Sequence, residues 1–327
     1  MRPQRLILQF IAALLMLLSV SCTGIPQTKR AAEIPPQYVA IEHSNSLLAR
    51  YAPIFSLEDP TKSYNKIGTP AVREDKNGRP DVYIDPNKAT IYAMEQKFKD
   101  SGGNYTNLIY RVHFEKTPYK YLTAGRNPGL IFIVTLNQKN QPLLVTTVHT
   151  CGCYLAIIPT SYLPKESYPE NWSLGGQDVY GEHLPSFIDM KESVDAQHKY
   201  VFSIRSGTHR IMHLDLSTEN DFASHADFVT AALKPMASLR ELPFGGSKIS
   251  FFETEGTRKG YVRNSHKPFE RLLMSWWVMD WRIGEDKDLG PREETGTTFY
   301  TSLKFWAWKK SDLWNFANFL DYWGWKL

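Results

Sequence analysis

The stretch LIFIVTL at 130–136, followed by NQKNQ at 137–141 and LLVTTV at 143–148, decides the fold. Both runs are rich in β-branched residues and are joined by polar turn residues, which predicts an antiparallel hairpin. Nearly every position in the two runs is apolar, not every second one. Such strands need cover on both faces, so the hairpin is expected in the middle of a sheet.

Working outward, 107–114 sets Leu108, Tyr110, Val112 and Phe114 against Arg111 and His113, the alternation of a half-buried strand. Further strands are expected at 154–158, 200–204 and 211–216. Helical spacing is read at 37–51 (Val39, Ile41, Leu47, Leu48, Tyr51) and at 88–99 (Ile91, Met94, Phe98), the latter ended by Gly102-Gly103. A third helix is expected over 218–233, opened by Ser217 or Thr218 and closed near Pro235, and a short one after Ser311-Asp312 running to Phe319. The stretch 56–85 is rich in Pro, Gly and charge and reads as loop with short strands. Strands in the middle, segregated helices and no βαβ rhythm predict an α+β fold: a central, mainly antiparallel sheet with flanking helices and an aromatic-rich C-terminal portion. One large domain is expected over 37–327, with a possible C-terminal subdomain at 246–327. Eight of the nine Trp lie at or after Trp276. Aromatics dominate core burial, so this cluster reads as core rather than as a sugar- or peptide-binding surface.

The N-terminus carries Arg2 and Arg5, an apolar run from Leu6 and then Ser19-Val20-Ser21-Cys22. A positive n-region, a short apolar stretch and small residues before a cut describe a secretory signal peptide, too short for a membrane span. The segment resembles the signal peptides of bacterial lipoproteins, with Ser19 where that family usually has Leu. The resemblance implies cleavage before Cys22, lipid on Cys22, a membrane as partner and, from Thr23 rather than Asp, the outer membrane, with the protein facing the periplasm or the surface. Residues 1–21 would then be the leader, and 22–36, polar with Pro26, Pro35 and Pro36, a flexible tether. Removing the leader takes two Arg and no acid from 38 Lys+Arg against 34 Asp+Glu. So even a balance gives no electrostatic case for nucleic acid.

With Cys22 assigned to lipid, Cys151 and Cys153 remain as a pair in His149-Thr150-Cys151-Gly152-Cys153-Tyr154. Three chemistries fit. An exported pair can form a disulfide. Residues two apart in an ideal strand are separated by roughly 6.6 Å, near the limit for a bridge, so Gly152 would have to bend the chain; a redox role is an extension of this reading. Alternatively His149, Cys151 and Cys153 could ligate zinc or copper, with His209 or His213 completing the site. Thirdly, either thiol could be a nucleophile activated by His149 or His183 with a carboxylate such as Glu182, although neighbours in a strand point to opposite faces. His209 and His213 read best as hydrogen-bonded residues on a polar sheet face. Asp286-Lys287-Asp288-Leu289-Gly290 begins like a calcium loop but lacks its fifth and sixth positions, and reads as a solvated turn. The expected function is a lipid-anchored envelope protein for binding or assembly; the alternative is an extracytoplasmic metal- or thiol-dependent enzyme centred on 149–153.

Overall fold

The computed structural model describes residues 36–41, 45–190, 198–218, 221 and 228–327. In chain order its strands are β1 (Gln37–Ile41), β2 (Ile54–Leu57), β3 (Thr69–Glu74), β4 (Pro80–Asp85), β5 (Thr90–Asp100), β6 (Gly103–His113), β7 (Lys116–Thr117), β8 (Gly125–Arg126), β9 (Gly129–Leu136), β10 (Pro142–His149) and β11 (Ala156–Pro159). They continue as β12 (Gln177–Val179), β13 (Glu182–Leu184), β14 (His198–Ile204), β15 (Ile211–Thr218), β16 (Phe228–Pro235), β17 (Leu242–Phe244) and β18 (Ser247–Ile249). Four short helices are described: α1 (Leu47–Arg50), α2 (Pro268–Val278), α3 (Arg292–Thr295) and α4 (Phe316–Tyr322).

The decisive hairpin forms as β9 and β10, antiparallel from Leu136 against Pro142 to Leu130 against His149. Every residue of both strands is buried. They stand inside a ten-stranded sheet of order β11-β10-β9-β6-β5-β16-β1-β2-β14-β15. The pairings of β1 with β16, of β16 with β5 and of β2 with β14 are parallel, so the sheet is mixed. It is also curled: Phe132 of β9 stands 4.9 Å from Phe55 of β2 and 4.5 Å from Phe202 of β14, strands five and six places away in the sheet.

The α+β expectation is therefore corrected: the fold is mostly β, and no set of helices flanks the sheet among the described residues. Three predicted helices are replaced in whole or in part by strand. Over 37–51, Gln37–Ile41 is β1, wedged between β16 and β2, and only Leu47–Arg50 is helical. Over 88–99 the chain is β5. Met94 and Phe98, four apart, satisfy both a helical and a two-residue period. Tyr92 breaks the tie, because Tyr92, Met94 and Phe98 pack on one face while Ile91 and Ala93 pack on the other. Over 218–233, β15 ends at Thr218 and 228–233 belongs to β16, whose Val229 and Ala231 pair with Val39 and Ile41; residues 219–220 and 222–227 lie outside the described set. The short C-terminal helix begins at Phe316, not at Ser311-Asp312.

Each face of the sheet carries its own core. The inner one gathers Val39, Phe55, Leu108, Tyr110, Phe132 and Phe202. On the opposite face Ile109, Ile131, Ile133 and Leu144 meet Phe251, Phe299, Phe316, Phe319 and Trp325, so the C-terminal third is the cover of the second face. Burial of Trp325 docks the C-terminus, and Ser101 and Gly102 hold the Leu327 carbonyl. Trp314 and Trp308 also pack against buried clusters, but five others depart from the core reading: Trp276, Trp277, Trp281, Trp306 and Trp323 are exposed. No described helix is long and apolar enough to cross a membrane.

Because Phe132 joins both halves of the curled sheet, Phe132→Ala is expected to cost about 3–5 kcal/mol in urea unfolding. Leu272→Ala, on the exposed face of α2, should change stability by less than about 0.5 kcal/mol; equal effects of the two would contradict this account of the core.

Candidate functional site

Where β10 leaves the sheet, the chain turns within five residues. The His149 amide donates to the Cys153 carbonyl (2.9 Å), the Gly152 amide to the His149 carbonyl (2.8 Å), and the Thr150 amide to the carbonyl of Gly129 (2.9 Å). Gly152 has φ +96°, and a Cβ there would lie 2.1 Å from the Tyr300 carbonyl oxygen, so no other residue fits. The bend brings the Cα atoms of Cys151 and Cys153 to 5.7 Å, and the two are bridged as a disulfide. One imidazole nitrogen of His149 and the two sulfurs all lie within 4.8 Å of one another, so this group could hold a metal ion were the sulfurs free to ligate. His149 Nε2 has no protein hydrogen-bond partner. Burial, with His209 and Lys267 nearby, holds the imidazole well below its usual pKa, hence neutral and able to ligate.

The remaining sequence candidates do not join this group. His209 is close to His149 but is otherwise engaged: buried just ahead of β15, it stacks on Phe114 at 4.1 Å and donates from Nε2 to the Tyr64 carbonyl (2.7 Å). Its pKa is pushed down to about 3 by burial. His213 lies exposed within β15. Glu182 is buried beneath Arg205 and Arg210, while His183, the next residue in β13, is exposed and pairs with Asp178 at 2.9 Å. As the alternation of a strand requires, these neighbours point apart and form no dyad.

The supposed solvated turn at 286–290 is the reverse of solvated: Asp286, Lys287, Asp288 and Leu289 are all buried. They form the floor under the cysteine turn. The Lys287 amide donates to the Thr150 carbonyl (2.9 Å), and its ammonium donates to the carbonyls of Cys151 (2.7 Å) and Glu285 (3.2 Å). Thr150 Oγ1 donates to Asp286, whose other oxygen lies 3.6 Å from Lys267 Nζ. Glu285 receives Arg271 (2.8 Å) and Arg258. Glu270 turns inward from α2, and burial raises its pKa; a Cβ on Gly284 would collide with its carboxylate. Burial pulls the Lys287 pKa down, while Asp280, Asp286, Glu285 and Glu270 hold it up. This network escaped the sequence reading because its members are scattered over 258–288 with no motif spacing.

On the far side of Tyr300, whose ring lies 4.4 Å from the Lys287 ammonium, a cavity of about 480 Å³ opens to solvent. Its walls are aromatic: Tyr261, Tyr300, Phe305, Trp306 and Trp308, with Tyr300 and Trp308 stacked at 4.8 Å. Arg282, Arg292 and Lys309 bring positive charge, against Asp280, which accepts from the Tyr300 hydroxyl at 2.5 Å. In the sequence the C-terminal tryptophans read as core, and no pattern marks the three cations.

Comparison with protein-family models, with curated proteins and with solved structures found no match.

Two outcomes test the site. Lys287→Met strands several carboxylates and two carbonyls in the interior, and should lower stability by about 3–5 kcal/mol in thermal or urea unfolding. Separately, His209 holds a depressed pKa in the fold, so its contribution is fully present above pH 6.5 and is lost as pH falls toward about 3. At pH 5 that loss is about 2 kcal/mol. His113 and His149, also depressed by burial, act in the same direction. Urea unfolding at pH 7 and pH 5 should show the drop, and His209→Gln should reduce it; an identical drop in the variant would refute the assignment.

Proposed function

We propose that the protein is a lipid-anchored envelope protein of bacteria that binds an acidic, ring-shaped ligand of the carbohydrate class. The observation that carries the reading is the open cavity of about 480 Å³ with aromatic walls and three cations at its margin. That volume is within the range of small-molecule sites. Aromatic faces pack against the apolar faces of sugar rings, and arginine recognises carboxylate or phosphate through paired hydrogen bonds. Lipid on Cys22 and an outer-membrane location follow from the resemblance of 1–22 to lipoprotein leaders.

The binding half is tested by tryptophan fluorescence titration with oligoglucuronate and, as control, a neutral maltooligosaccharide. Saturable quenching by the acidic oligomer alone is expected, weakened at least tenfold in Arg292→Gln and in Trp306→Ala. No response, or an unchanged response in both variants, would overturn it. For the anchoring half, Cys22→Ala should abolish fatty-acid labelling and release the protein from membranes.

A second reading is favoured by the gathering of one His149 ring nitrogen and the two sulfurs within 4.8 Å of one another: once the disulfide is reduced, His149, Cys151 and Cys153 bind a soft or borderline cation, copper(I) or zinc. Thiolate and imidazole donors suit both ions. In the reduced protein, zinc should protect both cysteines from alkylation, and His149→Ala should remove the protection; alkylation at an unchanged rate with zinc present counts against a metal centre and against the extracytoplasmic metalloenzyme built on it.

A further inference from the structure

Helix α2 is turned inside out. Its residues Phe269, Leu272, Leu273 and Trp276 recur at the spacing of one helical face, and that face is at the surface. Leu272 is 75% and Trp276 72% exposed, Trp277 borders the face within the helix, and Met279 and Trp281 lie exposed beyond the helix end. The opposite side, which meets the protein, carries Glu270 and Val278, with Met274 packed beside Val278. An apolar stripe this continuous on a surface marks an interaction site rather than scattered exposure.

We infer that α2, together with the aromatic turns at 279–282 and 305–306, is a membrane-contacting face that seats in the headgroup layer of an anionic bilayer. The inference rests on the envelope-anchored reading for its setting, and three observations carry it. First, the patch has the composition of an interfacial helix: Leu, Phe and Trp at the centre, with cations at the edge. Arg271, Arg282, Lys304, Lys309 and Lys310 stand in 268–282 and 304–310 against two acids, Glu270, which faces inward, and Asp280, which already accepts from Tyr300; Arg271 is paired with Glu285. Anionic lipid complements the excess of Arg282, Lys304, Lys309 and Lys310. Second, the Trp276 indole N–H is already satisfied within the helix, donating to the Leu273 carbonyl at 3.1 Å. The ring can leave water without stranding a donor. Third, the chain from Cys22 to the first described residue is short: fourteen residues extend to no more than about 50 Å. A lipid on Cys22 would thus hold the domain at high effective concentration beside a bilayer, where even a weak interfacial contact is populated. Tyr119, whose exposed ring lies 6.5 Å from that of Phe269, extends the patch on the side of the β7–β8 loop.

The test uses the mature chain from Thr23, produced without lipid; the compact unit 34–327 contains every described element. It should sediment with vesicles of phosphatidylethanolamine and phosphatidylglycerol, and its tryptophan emission should be quenched by brominated lipid. The double variant Leu272→Ala/Trp276→Ala should lose at least tenfold in partitioning while unfolding at the same temperature as the parent, since both side chains are exposed. Absence of both sedimentation and quenching would overturn the inference. So would a dimer in analytical ultracentrifugation that Leu272→Glu converts to monomer, which would assign the face to a second copy. Because the protein under test carries no lipid, vesicle binding is read independently of the anchor, which fails or stands on the Cys22→Ala labelling alone.

Discussion

A sheet whose central strands are apolar on both faces cannot be left with either face in water, and much of this structure follows from that. The curl of the sheet closes the inner face on itself, through contacts such as Phe132 with Phe55 and Phe202. The outer face of β9 and β10 has to be covered by another part of the chain, and residues 251–327 supply the cover. That cover is built largely of turns and single-turn helices rather than long helices. Irregular backbone placed in an interior brings amides and carbonyls that no ladder satisfies, so side chains must do it. Lys287 does this for the carbonyls of Cys151 and Glu285, and Arg263 for that of Ser250. The carboxylates Asp286, Glu285 and Glu270 balance the cations brought inside.

The cysteine turn lies where the two layers meet. It emerges from β10, rests on Lys287 and Asp286, and presses Gly152 against the carbonyl of Tyr300. Tyr300 in turn lines the cavity and stacks on Trp308. The turn, the ionic floor and the cavity wall are therefore one packed chain of contacts, and displacement of the turn would be felt at Tyr300. The two imidazoles beside the turn, His149 and His209, are held neutral by burial. This removes positive charge from an interior that already contains Lys267 and Lys287.

How far the sequence could be read depended on whether local pattern and tertiary demand agreed. They agreed in the hairpin, whose composition states both its conformation and its two-sided burial; in 107–114 alternation marks a strand, but the half-buried reading is corrected, because Arg111 and His113 are as buried as Leu108 and Tyr110. In β5 they diverged, because Met94 and Phe98 fit two periods at once: Gly102-Gly103, read as a helix end, lies at the turn of the β5–β6 hairpin, and the other neighbour, β16, is far away in sequence. In β1 and β16 the deciding interaction is a parallel pairing between segments nearly two hundred residues apart, which no window of sequence contains. The bend at Gly152 was legible, since two cysteines flanking a glycine can meet only if the chain turns. The burial of Asp286, Lys287 and Asp288 was not, because charged residues in a turn are ordinarily solvated, and only the carbonyls and cations brought around them make the interior tolerable.

The outward stripe of α2 has a different standing from all of this. A helix placed over a sheet would ordinarily bury its apolar face, whereas α2 turns Glu270 and Val278 inward. The inward carboxylate of Glu270 lies near Lys267 and Lys287 beneath the helix. The interior does not require the outward face to be apolar: Leu272, Leu273, Trp276 and Trp277 are exposed and stand outside the core, and polar residues there would leave the fold as stable and more soluble. An aromatic and aliphatic stripe placed where folding gives it no role is the composition that the proposed bilayer contact requires.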